Sequence, residues 1–433
     1  MSTRLQLRVN KVMLGEQALS GAVADVIPIS REQGAQAYKG VIIPVSSHDT
    51  KEIEVLPGRY LVQAYLPSGN RLSIQVDALP EQTTPAVLEA RRTANEWLGW
   101  QDLIGQRAGE PPSLARENAN FAPVSPPERG NAPMGVMAGP PATLRLAQSV
   151  PDVSVWTNLH ELSKLRNGFP VEHLLQTLNP TSVQVLAPTF INEQAASFIL
   201  QPQGLPLGSR HYGIVDRSGT IDLFCLPIPW NRLDRAYNLK EASIDIAVPL
   251  AREEYVGVAV HDPDLGTLLG YIATGRLPLA NVITREGTDA HTQMMNVLYR
   301  KVDNPFAAAA SAYVLLQSDP APNADWHPWV TNLAIWFPWL PDGAVLEGAI
   351  RLKFAATDED VLAASESFLN AWNRGIPMFA PVLRLLLDGV STLVGDPDTN
   401  SEKLEGVLPK IRSLARAMAT DQAFTSLRFG VRA

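Results

Sequence analysis

The stretch PPSLARENANFAPVSPPERGNAPMGVMAGPP, residues 111–141, holds eight prolines in thirty-one positions, mixed with glycine, asparagine and charged residues and without an apolar period. Proline fixes φ and removes a backbone donor, so such a segment builds neither a helix nor a central strand and has little with which to close a core. It divides the chain. Before it the sequence reads as short alternating strands, and beyond about residue 285 as capped amphipathic helices. The predicted fold class is multidomain α+β: an N-terminal antiparallel β-sandwich over residues 1–90, a proline-rich flexible linker over 91–147, a β-rich mixed domain over 148–284, and an α-helical domain of stacked hairpins or a bundle over 285–433. This division expects a fragment ending before residue 285 to remain a soluble β-rich protein.

On the N-terminal side, Leu5, Leu7 and Val9 alternate with Arg4, Gln6 and Arg8, the two-residue period of a strand with one face on a core. Short runs of strand length recur at 22–27, 41–45 and 52–56. Residues 59–66 and 71–76 flank the turn Pro67-Ser68-Gly69-Asn70 as a hairpin. Six such strands within about eighty residues predict a small sandwich. The segment Leu56-Pro57-Gly58-Arg59-Tyr60 that enters the hairpin resembles the strand entry of prealbumin-like sandwiches, the carboxypeptidase regulatory-like modules. The resemblance covers residues 1–80 and implies a module without catalysis of its own.

Between residues 148 and 283 the pattern is mixed. Short helices are predicted at 159–165 and 171–178, followed by strands at 182–186, 197–201, 212–215, 221–226, 242–248, 255–260 and 268–273. Arg217-Ser218-Gly219-Thr220 stands in hairpin position between two of them. The tail differs in kind. Asn304 before Pro305 is an N-cap with proline at the first helical position, and Thr357 with Asp360 has the spacing of a capping box whose helix stops at Gly375. About six helices are predicted here, with no fixed-period repeat.

Composition narrows the function classes. With 44 acidic against 36 basic side chains the formal charge is −8, and no Lys/Arg run exceeds a pair, so a nucleic-acid partner is not expected. A single cysteine, Cys225, rules out an intrachain disulfide and a cysteine-based zinc site, and points to a reducing, cytoplasmic compartment. The apolar stretch 376–394 carries Pro381, Arg384 and Asp388 and reads as a buried helix, not a membrane span. No cofactor and no metal are expected.

Candidate chemistry is sparse. Cys225 is flanked by Phe224 and Leu226, an apolar setting that suits a core cysteine better than a thiolate nucleophile. His261, Asp262 and Asp264 follow a predicted strand; they read either as a hydrolase site or as turn chemistry, with the aspartates bonding local backbone. Trp326, Trp329, Trp336 and Trp339 fall within fourteen residues, interleaved with prolines, and read either as a rigid helical corner or as partner-binding anchors. This block and Asp303-Asn304-Pro305-Phe306-Ala307-Ala308-Ala309-Ala310 resemble an uncharacterised bacterial module sometimes encoded beside caspase-like peptidases, over residues 285–360. The expected function is a non-catalytic interaction or regulatory scaffold whose partner is a protein, a caspase-like or other peptidase included; the alternative is a hydrolase with its site near His261.

Overall fold

The computed structural model describes residues 3–10, 21–29, 36–44, 50–65 and 71–89, and most of 143–430, except 150–152, 166–167, 192–194, 202–206, 218, 234–238, 250–254, 261, 263–264, 266–268, 270–288, 319–321, 323, 398 and 421. The proline-rich segment, His261 and Asp264 lie outside the described residues, as does the predicted strand at 268–273 apart from Leu269, whose N–H bonds back to the Leu265 carbonyl in a helical turn.

Among the described residues seven strands form the N-terminal sandwich: β1 (Arg4–Asn10), β2 (Gly21–Pro28), β3 (Tyr38–Pro44), β4 (Lys51–Glu54), β5 (Gly58–Tyr65), β6 (Arg71–Ala78) and β7 (Thr83–Glu89). They lie in two sheets, ordered β4-β1-β7 and β3-β2-β5-β6. The alternation read from the sequence turns Leu5, Leu7 and Val9 inward, where they meet Val26, Tyr60 and Val62 of the other sheet in one core. Pairing is antiparallel except that β1 runs parallel to β7. β7 has no counterpart among the six predicted strands because Pro85 interrupts its pattern. An edge strand tolerates that proline, and among the described residues β7 pairs only with β1. The hydroxyl of Tyr60 donates to the Leu56 carbonyl at 2.9 Å, which closes the entry segment onto itself.

The rest of the chain begins with β8 (Thr143–Ser149), α1 (Val153–Leu162) and α2 (Val171–Leu178). Strands β9 (Ser182–Leu186), β10 (Phe190–Ile191), β11 (Ala195–Leu200), β12 (Arg210–Arg217) and β13 (Thr220–Leu226) follow. They are succeeded by β14 (Asn231–Leu233), β15 (Leu239–Glu241), β16 (Ile244–Pro249) and β17 (Gly257–Val260). Seven helices come next among the described residues: α3 (Asp289–Tyr299), α4 (Pro305–Ser318), α5 (His327–Trp336), α6 (Pro341–Lys353), α7 (Asp358–Arg374), α8 (Ala380–Leu393) and α9 (Ser401–Ala417). A last strand, β18 (Ser426–Gly430), ends the described chain.

Three boundaries differ from those the sequence predicts. Residues 143–147, placed in the linker, belong to β8, an interior strand of the five-stranded sheet β18-β13-β12-β8-β9. The tail is not helical to its end, because β18 pairs antiparallel with β13, Leu223 opposite Leu427. One hydrophobic core runs from Leu144 to Phe429, so residues 148–284 and 285–433 share it instead of each closing their own. The hairpin at 217–220 forms as predicted, with Arg217 opposite Thr220. Gly219 takes a φ of 107°, in the left-handed region that only glycine enters cheaply.

The helices obey local rules. Thr357 accepts from the Asp360 N–H and the Asp360 carboxylate accepts from the Thr357 N–H, the reciprocal capping box of α7. Helix α4 is apolar on every side, from Phe306 to Leu316, and is buried on every side. The greasy stretch around α8 is an amphipathic helix, buried on one face through Val382, Leu386 and Val390 and exposed on the other at Asp388, Ser391 and Thr392. Among the described residues no helix is long and apolar enough to cross a membrane.

Candidate functional site

Two adjoining helical turns bring the tryptophan-rich block against the end of α3. The turn at 300–304 is clamped from both sides: Asn304 Oδ1 accepts from the Ala307 N–H at 2.9 Å, and its Nδ2 donates to the Asn231 carbonyl at 2.6 Å. Asn231 Nδ2 in turn donates to the Asp303 carbonyl at 3.1 Å. The second turn, 337–340, folds Phe337 and Leu340 inward and starts α6 at Pro341. Gly343 lets α5 and α6 approach closely, since a Cβ there would stand 2.9 Å from Ala334 Cα.

Within this frame the four tryptophans separate into two roles. Trp326 is buried, edge-on to His327 at 4.4 Å between ring centroids, and His327 lies against Phe354. Trp339 packs edge-on against Phe306 at 5.4 Å and Phe337 at 6.1 Å. These two hold the corner together, and Trp326 is not available to a partner. Trp329 is half-buried and meets Tyr299 edge-on at 5.2 Å. Trp336, the last residue of α5, is 54% exposed, and Tyr299, the last of α3, is 64% exposed. Val302 and Ile335 beside them in the chain are also exposed.

Lys301 sits between the two rings. Its ammonium lies 5.1 Å from the Trp336 centroid and 6.0 Å from that of Tyr299, while Nζ donates to the Tyr299 carbonyl at 3.2 Å. The residue is only 2% exposed, and burial pulls its pKa below the usual lysine value. No ion pair joins it to a carboxylate among the described residues; the neighbouring Asp303 is taken by Arg300 at 2.8 Å. Cation–π attraction to partly desolvated rings is worth about 0.5–2 kcal/mol and holds both aromatic side chains in place. The result is an exposed aromatic surface on a rigid, buried base.

Sequence reasoning finds Trp329 and Trp336 but not Tyr299, Lys301, Val302 or Ile335. Tyr299 and its neighbours carry no motif, and only the packing of α3 against α5 gives them a shared surface.

Of the alternative hydrolase residues His261, Asp262 and Asp264, only Asp262 falls among the described residues. Asp262 is buried, and its carboxylate accepts from Trp230 Nε1 at 2.7 Å and from the Leu265 N–H at 3.1 Å. That is turn chemistry reinforced by a buried indole. Among the described residues no group of three or more His, Cys, Asp or Glu side chains is placed to hold a metal ion.

Cys225 is buried in β13, where burial pushes its thiol up to about 11. Arg210 lies 4.0 Å from the sulfur and donates to the Ile376 carbonyl. Asp342, fully buried at the start of α6, accepts from the Met378 and Phe379 N–H groups at 2.7 and 3.1 Å. Burial raises its pKa to about 6 against the favourable field of Arg210 and these two bonds. The cluster fastens helices to the sheet and opens onto no described cavity.

Residues 267–428 match the family model of the Y4kD C-terminal domain. The match takes in α3 to α9, the aromatic surface and most of β18, and spans less than half of the chain. No curated protein and no solved structure gave a match.

Proposed function

We propose that this chain is a non-catalytic interaction or regulatory scaffold that engages a protein partner through the surface formed by Tyr299, Trp329, Trp336 and their apolar neighbours. The observation that carries the reading is the exposure of Tyr299 and Trp336 above a corner that cannot rearrange cheaply. Trp and Tyr bury large areas on binding and lose few rotamers, and anchors already fixed by packing lose fewer still. The first partner to test is a companion peptidase of caspase-like type, on the likeness of residues 285–360 to modules encoded beside such enzymes. A reducing, cytoplasmic setting suits a chain whose one thiol is buried.

The test is site-specific photo-crosslinking. A photoreactive phenylalanine analogue at Ile335, beside Trp336 and outside the core, should form a covalent adduct with one protein partner in the native cell. The same probe at Val185, on β9, should not trap that partner. Adducts to no protein, or equal trapping from both positions, would remove the support for this surface.

A further inference from the structure

The two outer edges of the five-stranded sheet are treated differently. Strand β18 is covered: Met418 bridges Leu427, and the Ala419 N–H donates to the Ser426 carbonyl at 2.8 Å. Strand β9, at the opposite edge, pairs only with β8 among the described residues, and its residues 182–185 are all exposed. Val183 is 43% and Val185 63% exposed. One row of backbone N–H and C=O groups therefore faces outward beside two valines.

Natural sheets usually guard such edges with charge, proline or a bulge. The sandwich does so: β4 carries Lys51, Glu52 and Glu54, β6 carries Arg71 and Asp77, and β7 carries Pro85 and Glu89. The sequence of β9, SVQVL, has none of these, and Pro180 and Pro188 stand just outside it. Its central triplet, Val183-Gln184-Val185, is symmetric about Gln184. Two copies paired antiparallel with Gln184 opposite Gln184 set Val183 of each against Val185 of the other, and all four valines fall on one face.

We infer that β9 is a self-association edge, at which a second copy of this chain pairs antiparallel about a twofold axis through Gln184 and joins the two sheets into one. The occupant is a second copy because the valine pattern matches itself in that register, which gives two cross-strand valine pairs besides the backbone bonds. Five residues a side bury much less than a standard interface, so the dimer is concentration-dependent. The association is independent of the aromatic surface, which lies in the helical part.

Sedimentation velocity on the full chain from about 1 to about 200 µM tests it, a range that spans weak dimer affinities. The wild type should rise from 47.1 kDa towards twice that mass, and Val185→Lys should stay at the monomer mass. Val183→Glu combined with Val185→Lys should recover the dimer, because the register sets each Glu against the other copy's Lys. Gln184→Cys should cross-link through a disulfide under mild oxidation, against a low background because Cys225 is buried. That variant decides the matter if the charged ones fail to fold. A wild type that stays monomeric throughout, a dimer indifferent to Val185→Lys, or a Gln184→Cys protein that forms no cross-link would overturn the inference.

Discussion

Arg428 of β18 forks onto Asp222 of β13, with Nε 2.6 Å from Oδ1 and Nη2 3.1 Å from Oδ2. Asp222 is buried and takes a second partner, Arg217, at 2.9 Å, while the Arg428 guanidinium stacks 4.1 Å above the Tyr255 ring. A buried carboxylate needs its counter-charges because solvent cannot replace them. Arg428→Met should therefore lower unfolding stability by about 2–4 kcal/mol in a urea titration. A loss below about 0.5 kcal/mol would show that Arg217 alone satisfies Asp222.

Removing the tail as a whole should do more. A fragment ending at residue 284 lacks β18, which exposes the edge of β13 and opens the shared core. It is expected to aggregate, whereas a fragment of residues 1–90, whose core is separate, should stay soluble and cooperative. Light scattering and thermal melts of the two fragments check this, and a soluble, cooperatively melting 1–284 fragment would count against one continuous core.

The strands and helices were legible because each has a local cause. The alternation at Leu5, Leu7 and Val9, the turn at Gly219 and the capping box at Thr357 are written within a few residues of where they act. What the sequence hid is long-range. Nothing near Ser426 announces that it pairs with Phe224 across two hundred residues, and the proline at position 85 masked an edge strand that has no need of that donor. The site divides in the same way. Tryptophan density marked the corner, but Tyr299 and Lys301 joined it only through the packing of α3 on α5.

Asp342 should give the protein a pH signature. Burial raises its pKa to about 6 from an ordinary 3.8, so the folded state holds the proton more tightly than the unfolded chain. Stability contributed by this group falls as pH rises from about 4 to about 6, and is regained on acidification. The wild type should gain on the order of 2–3 kcal/mol relative to Asp342→Asn between pH 7 and pH 4. A pH-independent difference between the two proteins would show that the carboxylate does not titrate in this window.

Cys225 should react only through unfolding. With the side chain buried and the thiol pushed up to about 11, a disulfide reagent at neutral pH should label the native protein at the rate of global opening. Cys225→Ala should cost about 1–2 kcal/mol. Labelling within seconds under native conditions would place the thiol at an accessible site.

Asp262 is expected to be structural. Asp262→Ala leaves the Trp230 indole N–H and the Leu265 N–H without their acceptor in a buried turn, at a cost of about 2–4 kcal/mol. Asp262→Asn keeps an oxygen for one of them and should cost less. Equal stability of the alanine variant and the wild type would release Asp262 from this role.

The partner surface is tested most directly by co-purification of the native protein with Tyr299 and Trp336 each replaced by Ala. Both side chains are largely exposed, so the variants should fold like the wild type, with stability changed by no more than about 1 kcal/mol from the lost stacking on Lys301. The wild type, and an Arg59→Ala control in the sandwich, should retain one stoichiometric protein partner, and the two aromatic variants should lose it. Retention of the same partner by folded Tyr299→Ala and Trp336→Ala proteins, or a wild type that retains none, would contradict the assignment.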